Sequence, residues 1–342
     1  MTVDRTLLQK RLIKIVRRFP QKRILVVGDS IADQYVYGVI DRVSREAPVF
    51  ILRHEQTETN PGGAGNCAAN LASLGAEARL VSIIGGDEAG RMVHQKLEGA
   101  GVQFRGIYAS PDTRTTTKTR ILAGQLHSTR QQVIRVDYEG TKAYDLIPRA
   151  LLLEQIVKNI KTADAVIISD YDCGVVNASV AETIRNAAEE LGIPVVVDSR
   201  YRLSSFMNFS SATPNEDEIE QLLGVRLEDA GRFESVAEQL RQELAYKALL
   251  VTRGSLGLVL FQEGKKPLRL AAVGSRQPVD VTGAGDTVIA TYTLAVASGS
   301  SFADAARLAN LAGGIVVMKR GTATVQPSEI ISLVKETESV GG

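Results

Sequence analysis

An aspartate in a glycine-rich turn is the residue best suited to chemistry in this chain. The segment Asp280-Val-Thr-Gly-Ala-Gly-Asp286-Thr287 opens the apolar run VIATYTLAVASG, which reads as a helix ending near Gly299. Gly283, Ala284 and Gly285 at a helix N-terminus aim several backbone N–H groups at one spot, on the positive end of the macrodipole. Their small side chains let a phosphate approach the backbone. A carboxylate in that turn is a poor anion ligand. Asp286 suits a general base beside an anion hole, the pairing that phosphoryl transfer from a nucleotide to a hydroxyl requires. An acid there also serves as a plain stabiliser of a helix N-terminus, and the turn alone does not separate the two.

A second glycine cluster, Pro61-Gly62-Gly63-Ala64-Gly65-Asn66, leads into CAANLASLG. Gly63, Gly65 and Ala68 match G-x-G-x-x-A, the dinucleotide fingerprint. The preceding HEQTETNP reads as polar rather than as a strand running into the turn, which disfavours a nicotinamide site. A helix start whose backbone and Asn66 bind a polyol fits better. Close helix–strand packing explains the glycines but not the asparagine. A third cluster, Thr213-Pro-Asn-Glu-Asp-Glu218, reads as a capped helix start with acids in its first turn. Its functional alternative has Asn215 and Glu218 holding Mg²⁺ waters and nucleotide phosphates at a sheet edge. The chain has no G-x-x-x-x-G-K-[ST], no protein-kinase catalytic loop and no D-F-G. Phosphoryl transfer therefore rests on the Gly-Ala-Gly-Asp turn.

These clusters need a frame. ILVVGD (24–29), ARLVSIIG (78–85), DAVIISD (164–170), PVVVDS (194–199) and ALLVTRG (248–254) read as buried parallel strands with polar carboxyl ends. Helical patterns at 64–74, 87–99, 177–191, 215–223 and 233–244 separate them. The alternation predicts an α/β fold, a mostly parallel sheet with helices on both faces and ligands at the carboxyl ends of the strands. Residues 35–58 and 104–137 lack helical periodicity and are rich in Val, Ile, Thr, Tyr and Arg. They read as antiparallel strands of a small inserted sheet, a lid, with breaks at Gly106, Pro111 and Gly124. Residues 4–19 read as a basic amphipathic helix on the edge of the domain. The expected organisation is an N-terminal helix (1–19), one α/β domain (20–335) and a tail (336–342).

Composition narrows the function. Of 342 residues, 40 are Lys or Arg and 39 are Asp or Glu, a net charge of +1 that argues against bulk binding of nucleic acid or membrane. Two cysteines, Cys67 and Cys173, exclude a disulfide scaffold or a four-cysteine zinc module and read as buried thiols. His54, His94 and His127 have no ligand spacing. No apolar run is long enough for a membrane span and no secretory signal opens the chain. A cytoplasmic enzyme is expected.

Gly28-Asp29, Gly62-Gly63 with Asn66, Asn215 with Glu218, and Asp280 through Asp286, in this order, resemble the ribokinase-like (phosphofructokinase-B type) carbohydrate kinases across residues 20–335. Within that family, GDSIADQYVYG, DRVSREAPV, PGGAGNCAANLASLGA, SDYDCG and GTATV are similar to the heptose 7-phosphate kinases. The resemblance implies Mg-ATP-dependent phosphorylation of the C1 hydroxyl of D-glycero-β-D-manno-heptose 7-phosphate. It implies Asp286 as base and Gly283, Ala284 and Gly285 as anion hole. Asp29, Asp33, Gly62, Gly63 and Asn66 bind the sugar, Thr252, Gly254, Gly257 and Asn310 lie near the nucleotide, and Asn215 and Glu218 serve phosphate and Mg²⁺. It also makes a homodimer the expected assembly. The chain departs from the family at Cys173 and at Ser199-Arg200, where lysine and Pro-Lys are usual. No H-x-G-H is present, so a separate adenylyltransferase is expected to act next.

A substrate phosphate needs cations. Lys118 and Arg120, two apart on one strand, share a face and are the expected grip, with Arg42 next. Solvated edge-strand charge is the plainer reading of the same residues. Two alternatives stay open: a kinase of another sugar or sugar phosphate, and a catalytically degenerate sugar-phosphate-binding protein.

Overall fold

The computed structural model describes residues 2–111, 113–125, 130–140, 149–227, 229–274 and 277–336. The tail beyond 336, His127 and the side chain of Arg105 lie outside the described residues. In chain order the elements are α1 (Thr2–Val16), β1 (Arg23–Gly28), β2 (Ser30–Val43), β3 (Phe50–Gly63), α2 (Ala64–Ser73), β4 (Glu77–Gly85), α3 (Glu88–Gly99), β5 (Gln103–Ser110), β6 (Thr117–Gly124) and β7 (Gln131–Tyr138). There follow α4 (Arg149–Ile160), β8 (Ala165–Asp170), α5 (Ala178–Leu191), β9 (Val195–Ser199), β10 (Ser211–Ala212), α6 (Glu216–Leu223), α7 (Ala230–Glu243), β11 (Ala248–Thr252), β12 (Leu258–Gln262), β13 (Leu268–Leu270), α8 (Ala284–Ala297), α9 (Phe302–Val316) and α10 (Pro327–Glu336).

The apolar runs become one sheet of nine strands, in the order β13-β12-β11-β10-β9-β8-β1-β4-β5. From β11 to β5 the pairs are parallel; β12 and β13 add an antiparallel edge. Successive residues of a strand face opposite sides. Ile24 and Val26 of β1 therefore enter a core with α1, α2, α8 and α9, while Leu25 and Val27 enter a second core with α4, α5 and α7. β1 lies between β8 and β4, so the strand order reverses there and a crevice opens at its carboxyl end. Residues Leu12, Ile15 and Val16 of α1 are buried in the first core, and the Gln9 side chain donates to the Val334 carbonyl of α10. The basic helix is thus part of the domain.

The lid is a four-stranded sheet, β3-β2-β6-β7. Two expectations about it are corrected. β2 and β6 pair in parallel, from Ala32↔Thr117 to Val39↔Gly124, because the chain crosses the main sheet between them; only β2–β3 and β6–β7 are antiparallel. Residues 103–110 belong to the main sheet, as β5 beside β4. Gly106 is not a turn there: a Cβ would come within 2.7 Å of the Val81 side chain, so glycine permits the close pairing. The polar stretch HEQTETNP is strand after all. It is part of β3, largely exposed over residues 53–57, and runs straight into α2.

Candidate active site

At the start of α8, Gly283 has φ +77° and a Cβ on it would come within 2.4 Å of Asn66 Nδ2, so the position requires glycine. Asp280 braces the turn. Its carboxylate accepts from the backbone N–H of Thr282 at 2.9 Å and of Gly321 at 3.0 Å. The expected anion hole is narrower than three residues. The Ala284 N–H closes onto the Val281 carbonyl at 3.2 Å, whereas the N–H groups of Gly285 and Asp286, in the first turn, have no acceptor inside the helix.

Asp286 is buried, 4% exposed. Its Oδ2 accepts from Asn66 Nδ2 at 2.8 Å and its Oδ1 from the Tyr171 hydroxyl at 3.0 Å. Burial pushes its carboxyl up to about 7; the two donors and Lys118 act against that, and Asp33 with it. A carboxylate with this value is a base at neutral pH. Asn66 was expected to bind sugar. Its amide is occupied with Asp286, and its Oδ1 accepts from Asn70.

Asp29, expected to bind sugar, also has a structural role. Its carboxylate accepts three backbone N–H groups, from Tyr171 (2.8 Å), Cys173 (3.1 Å) and Val175 (2.9 Å). It holds the loop after β8, and Oδ1, with a single donor, keeps a lone pair. Burial raises it to about 6, against those three donors. Gly63 packs its backbone under the Tyr171 ring, and Gly62 leaves the space that the Asp33 carboxylate fills. Asp33 is paired with Arg120 at 2.5 Å, both side chains nearly buried, and the guanidinium lies 5.4 Å over the Tyr35 ring. Arg120 is therefore neutralised, not poised for a phosphate. Arg42 sits near the far end of β2, exposed and bonded to Asp41 at 2.8 Å; nine residues of strand, roughly 30 Å, separate it from Asp33.

Lys118 does face a cavity, of about 220 Å³, which Tyr171, Cys173, Arg135, Asp137, Glu139 and Arg200 also line. Arg135 is matched by Asp137 at 2.9 Å. Among the described residues Lys118 and Arg200 have no ion pair. Burial, and after it Arg200, pushes the Lys118 ammonium down, while Asp33 and Asp137 act against that. Cys173 is half-buried and its thiol is raised to about 11 by burial and by Asp29, so it is neutral.

A larger cleft of about 550 Å³ adjoins the α8 turn. Thr252, Gly254, Gly257 and Asn310, the expected nucleotide residues, all line it together with Ala284 and Gly285. Asn310 Nδ2 donates to the Ala271 carbonyl at 2.8 Å. Asn215 and Glu218 form a reciprocal capping box at α6, so the structural alternative holds. The functional one is not displaced. Burial pushes the Glu218 carboxyl up, and burial followed by Glu218 pushes Asp198 up. Two neighbouring hard oxygen donors suit Mg²⁺ bound through water. Among the described residues no three such side chains converge to grip a metal directly.

Residues 21–329 match the model of the pfkB family carbohydrate kinases. The chain belongs to this family. The kinase is 37% identical over 313 residues to the bifunctional protein HldE of Citrifermentans bemidjiense, covering 91% of this chain and 63% of that protein. It is 41% identical to the HldE of Alkalilimnicola ehrlichii, covering 94% of this chain and 65% of that protein. The kinase thus spans about two thirds of the length of these relatives. They are bifunctional, so they do not support the expectation of a separate adenylyltransferase. The fold is that of Arabidopsis thaliana ribokinase complexed with ribose and ATP (TM-score 0.74, 23% identity, 92% of this chain and 99% of that one). It is equally that of Escherichia coli phosphofructokinase-2 in complex with potassium (TM-score 0.75, 20% identity, 92% and 98%). Among the described residues of the kinase no helix is long and apolar enough to cross a membrane.

Tyr171, Arg135, Arg200 and Asp198 were not singled out as site residues by their types or spacing. The available signal for Tyr171 was its place directly after the apolar strand run DAVIISD, at the carboxyl edge where α/β sheets bind ligands.

Proposed function

We propose that this kinase transfers the γ-phosphoryl group of Mg-ATP to the C1 hydroxyl of D-glycero-β-D-manno-heptose 7-phosphate or a closely related sugar phosphate. The product is the 1,7-bisphosphate, a precursor for nucleotide-activated heptose. One observation carries the reading. The buried carboxylate of Asp286 directly follows Ala284 and Gly285, which line one cleft, and accepts from Tyr171, which lines the other cavity with Lys118 and Arg200, cations without an ion pair among the described residues. The similarity of the sequence to heptose 7-phosphate kinases supports the acceptor.

In this reading the sugar phosphate lies with its anionic end on Lys118 and Arg200 and its C1 hydroxyl at Asp286. Asp286 takes the hydroxyl proton as the oxygen bonds to the γ-phosphorus. The bond from that phosphorus to the β,γ-bridging oxygen breaks and ADP leaves. The first-turn N–H groups of α8 meet the charge on the moving group. Thr252, Gly254, Gly257 and Asn310 surround the nucleotide. Mg²⁺, when bound, offsets charge on the phosphates, with Glu218 and Asn215 holding its waters. The lid exposes the paired Val43 and Phe50 at one end and Ile134 and Tyr138 elsewhere, and assembly as a homodimer belongs to the same reading. A cytoplasmic location belongs to the same reading.

The test is ADP release over a panel of sugars and sugar phosphates. Turnover confined to heptose 7-phosphates is expected. Equal rates on unphosphorylated sugars would overturn the acceptor, and calorimetric binding without turnover of any nucleotide would point to a sugar-phosphate-binding protein instead.

A further inference from the structure

Tyr171 has no part in the reaction as written above, yet its position is constrained from several sides. Its backbone N–H is held by Asp29 Oδ2 at 2.8 Å, and its ring lies where a Cβ on Gly63 would come within 3.2 Å. The Lys118 ammonium sits 5.2 Å above the ring centroid. The hydroxyl ends on Asp286 Oδ1 at 3.0 Å, opposite the Asn66 amide on Oδ2. The end of β1, the start of α2, the loop after β8 and the lid strand β6 therefore all converge on one phenol.

We propose that Tyr171 is a positioning residue for the base: its hydroxyl and the Asn66 amide fix the rotation of the Asp286 carboxylate and favour its charged form. The inference rests on the reading of Asp286 as base. Each carboxylate oxygen accepts two hydrogen bonds. With one donor on each, both oxygens keep a lone pair, so one stays available for a substrate hydroxyl while the group cannot swing. Tyr171 acts only as a donor. Burial, and after it Asp286, pushes its phenol well above the usual range, so it stays protonated. Other groups acting on Asp286 come from several elements. Asp33 of β2 opposes its ionisation and Lys118 of β6 favours it. Asp198 of β9 and Cys67 of α2 face it as well. None of these bonds to it; the phenol and the amide do.

The decisive variant is Tyr171→Phe. It keeps the ring, hence the packing on Gly63 and the seat of Lys118, and removes only the hydroxyl. Loss of one donor to a buried carboxylate moves the acid limb of the kcat/KM profile upward by about one pH unit. Turnover drops roughly fivefold at pH 7 and recovers by pH 9, with KM for Mg-ATP unchanged. A loss of equal size at every pH, or no change, overturns the proposal. A ¹³C NMR titration of the Asp286 carboxyl in both proteins gives a readout without turnover, and an unmoved midpoint in Tyr171→Phe also overturns it. If Asp286→Asn retains full activity, it is the base that has been misassigned. If Asp286→Asn is inactive and the Tyr171→Phe profile is unshifted, only the role of Tyr171 falls.

Discussion

The floor of the site and the lid above it are built on different terms. On the floor, at the carboxyl edge of the parallel sheet, three carboxylates have dedicated sets of partners. Asp29 has three backbone donors, Asp280 two and Asp286 two side-chain donors. Such groups are fixed before any substrate arrives, and electrostatic catalysis depends on that preorganisation. The lid instead presents long, half-exposed strands whose cations are divided between pairing and waiting. Arg120, Arg135, Arg42 and Arg130 are matched by acids, while among the described residues Lys118 and Arg200, the latter from the floor, have no ion pair. In the proposed reading the floor carries the reaction and the seam between floor and lid holds the acceptor.

The sharpest way to break this contrast is on the floor. Asp286→Asn is expected to fold, by circular dichroism, and to lose about 10²- to 10⁴-fold in kcat. Retention of more than a tenth of the activity would remove the base from the account. Asp29→Ala leaves three N–H groups without their acceptor and is expected to destabilise the fold by about 3 kcal/mol or more, read as an earlier denaturant midpoint. An unchanged midpoint would mean that the loop after β8 does not need this anchor.

The seam is expected to respond in binding. Lys118→Ala and Arg200→Ala each raise KM for the sugar phosphate by roughly 10- to 100-fold, from the loss of a charge-assisted contact, with little change in KM for Mg-ATP. If rates on sugar phosphates survive both changes, the cavity is not the anion site. A pH series separates floor from seam again. The base works ionised, so kcat/KM should fall about tenfold per unit as the pH drops below about 7. The sign for stability is opposite. A raised carboxyl binds its proton more tightly in the folded chain, so its stabilising contribution is complete below the unfolded value of 3.8 and lost as pH rises through about 7. The smallest effect belongs to Arg42→Ala, exposed near the far end of β2, which should leave KM within twofold.

Much of the frame was legible from the chain alone. The strand runs at 24–29, 78–85, 164–170, 194–199 and 248–254 and the helices between them correspond to elements observed within a few residues, because periodicity and capping are local signals. The Gly-Ala-Gly-Asp turn was legible for the same reason: glycine, small residue and acid within one helical turn carry their chemistry with them. Thr252, Gly254, Gly257 and Asn310, expected near the nucleotide, also gather in one cleft.

What needed the folded chain was every choice between equivalent candidates. Whether 103–110 joins the lid or the main sheet depends on which strand lies beside it, and a β-rich run does not say. Lys118 and Arg120 share a strand face, yet one step along the strand places Arg120 on Asp33 and leaves Lys118 at the cavity. Asp29, Asn66 and Tyr171 owe their roles to partners more than a hundred residues away. Residue type and spacing set what each side chain is able to do, because those depend on covalent chemistry and neighbours in the chain. Which of those abilities is used depends on the groups that packing brings within 3 Å, and only the assembled sheet and lid decide that.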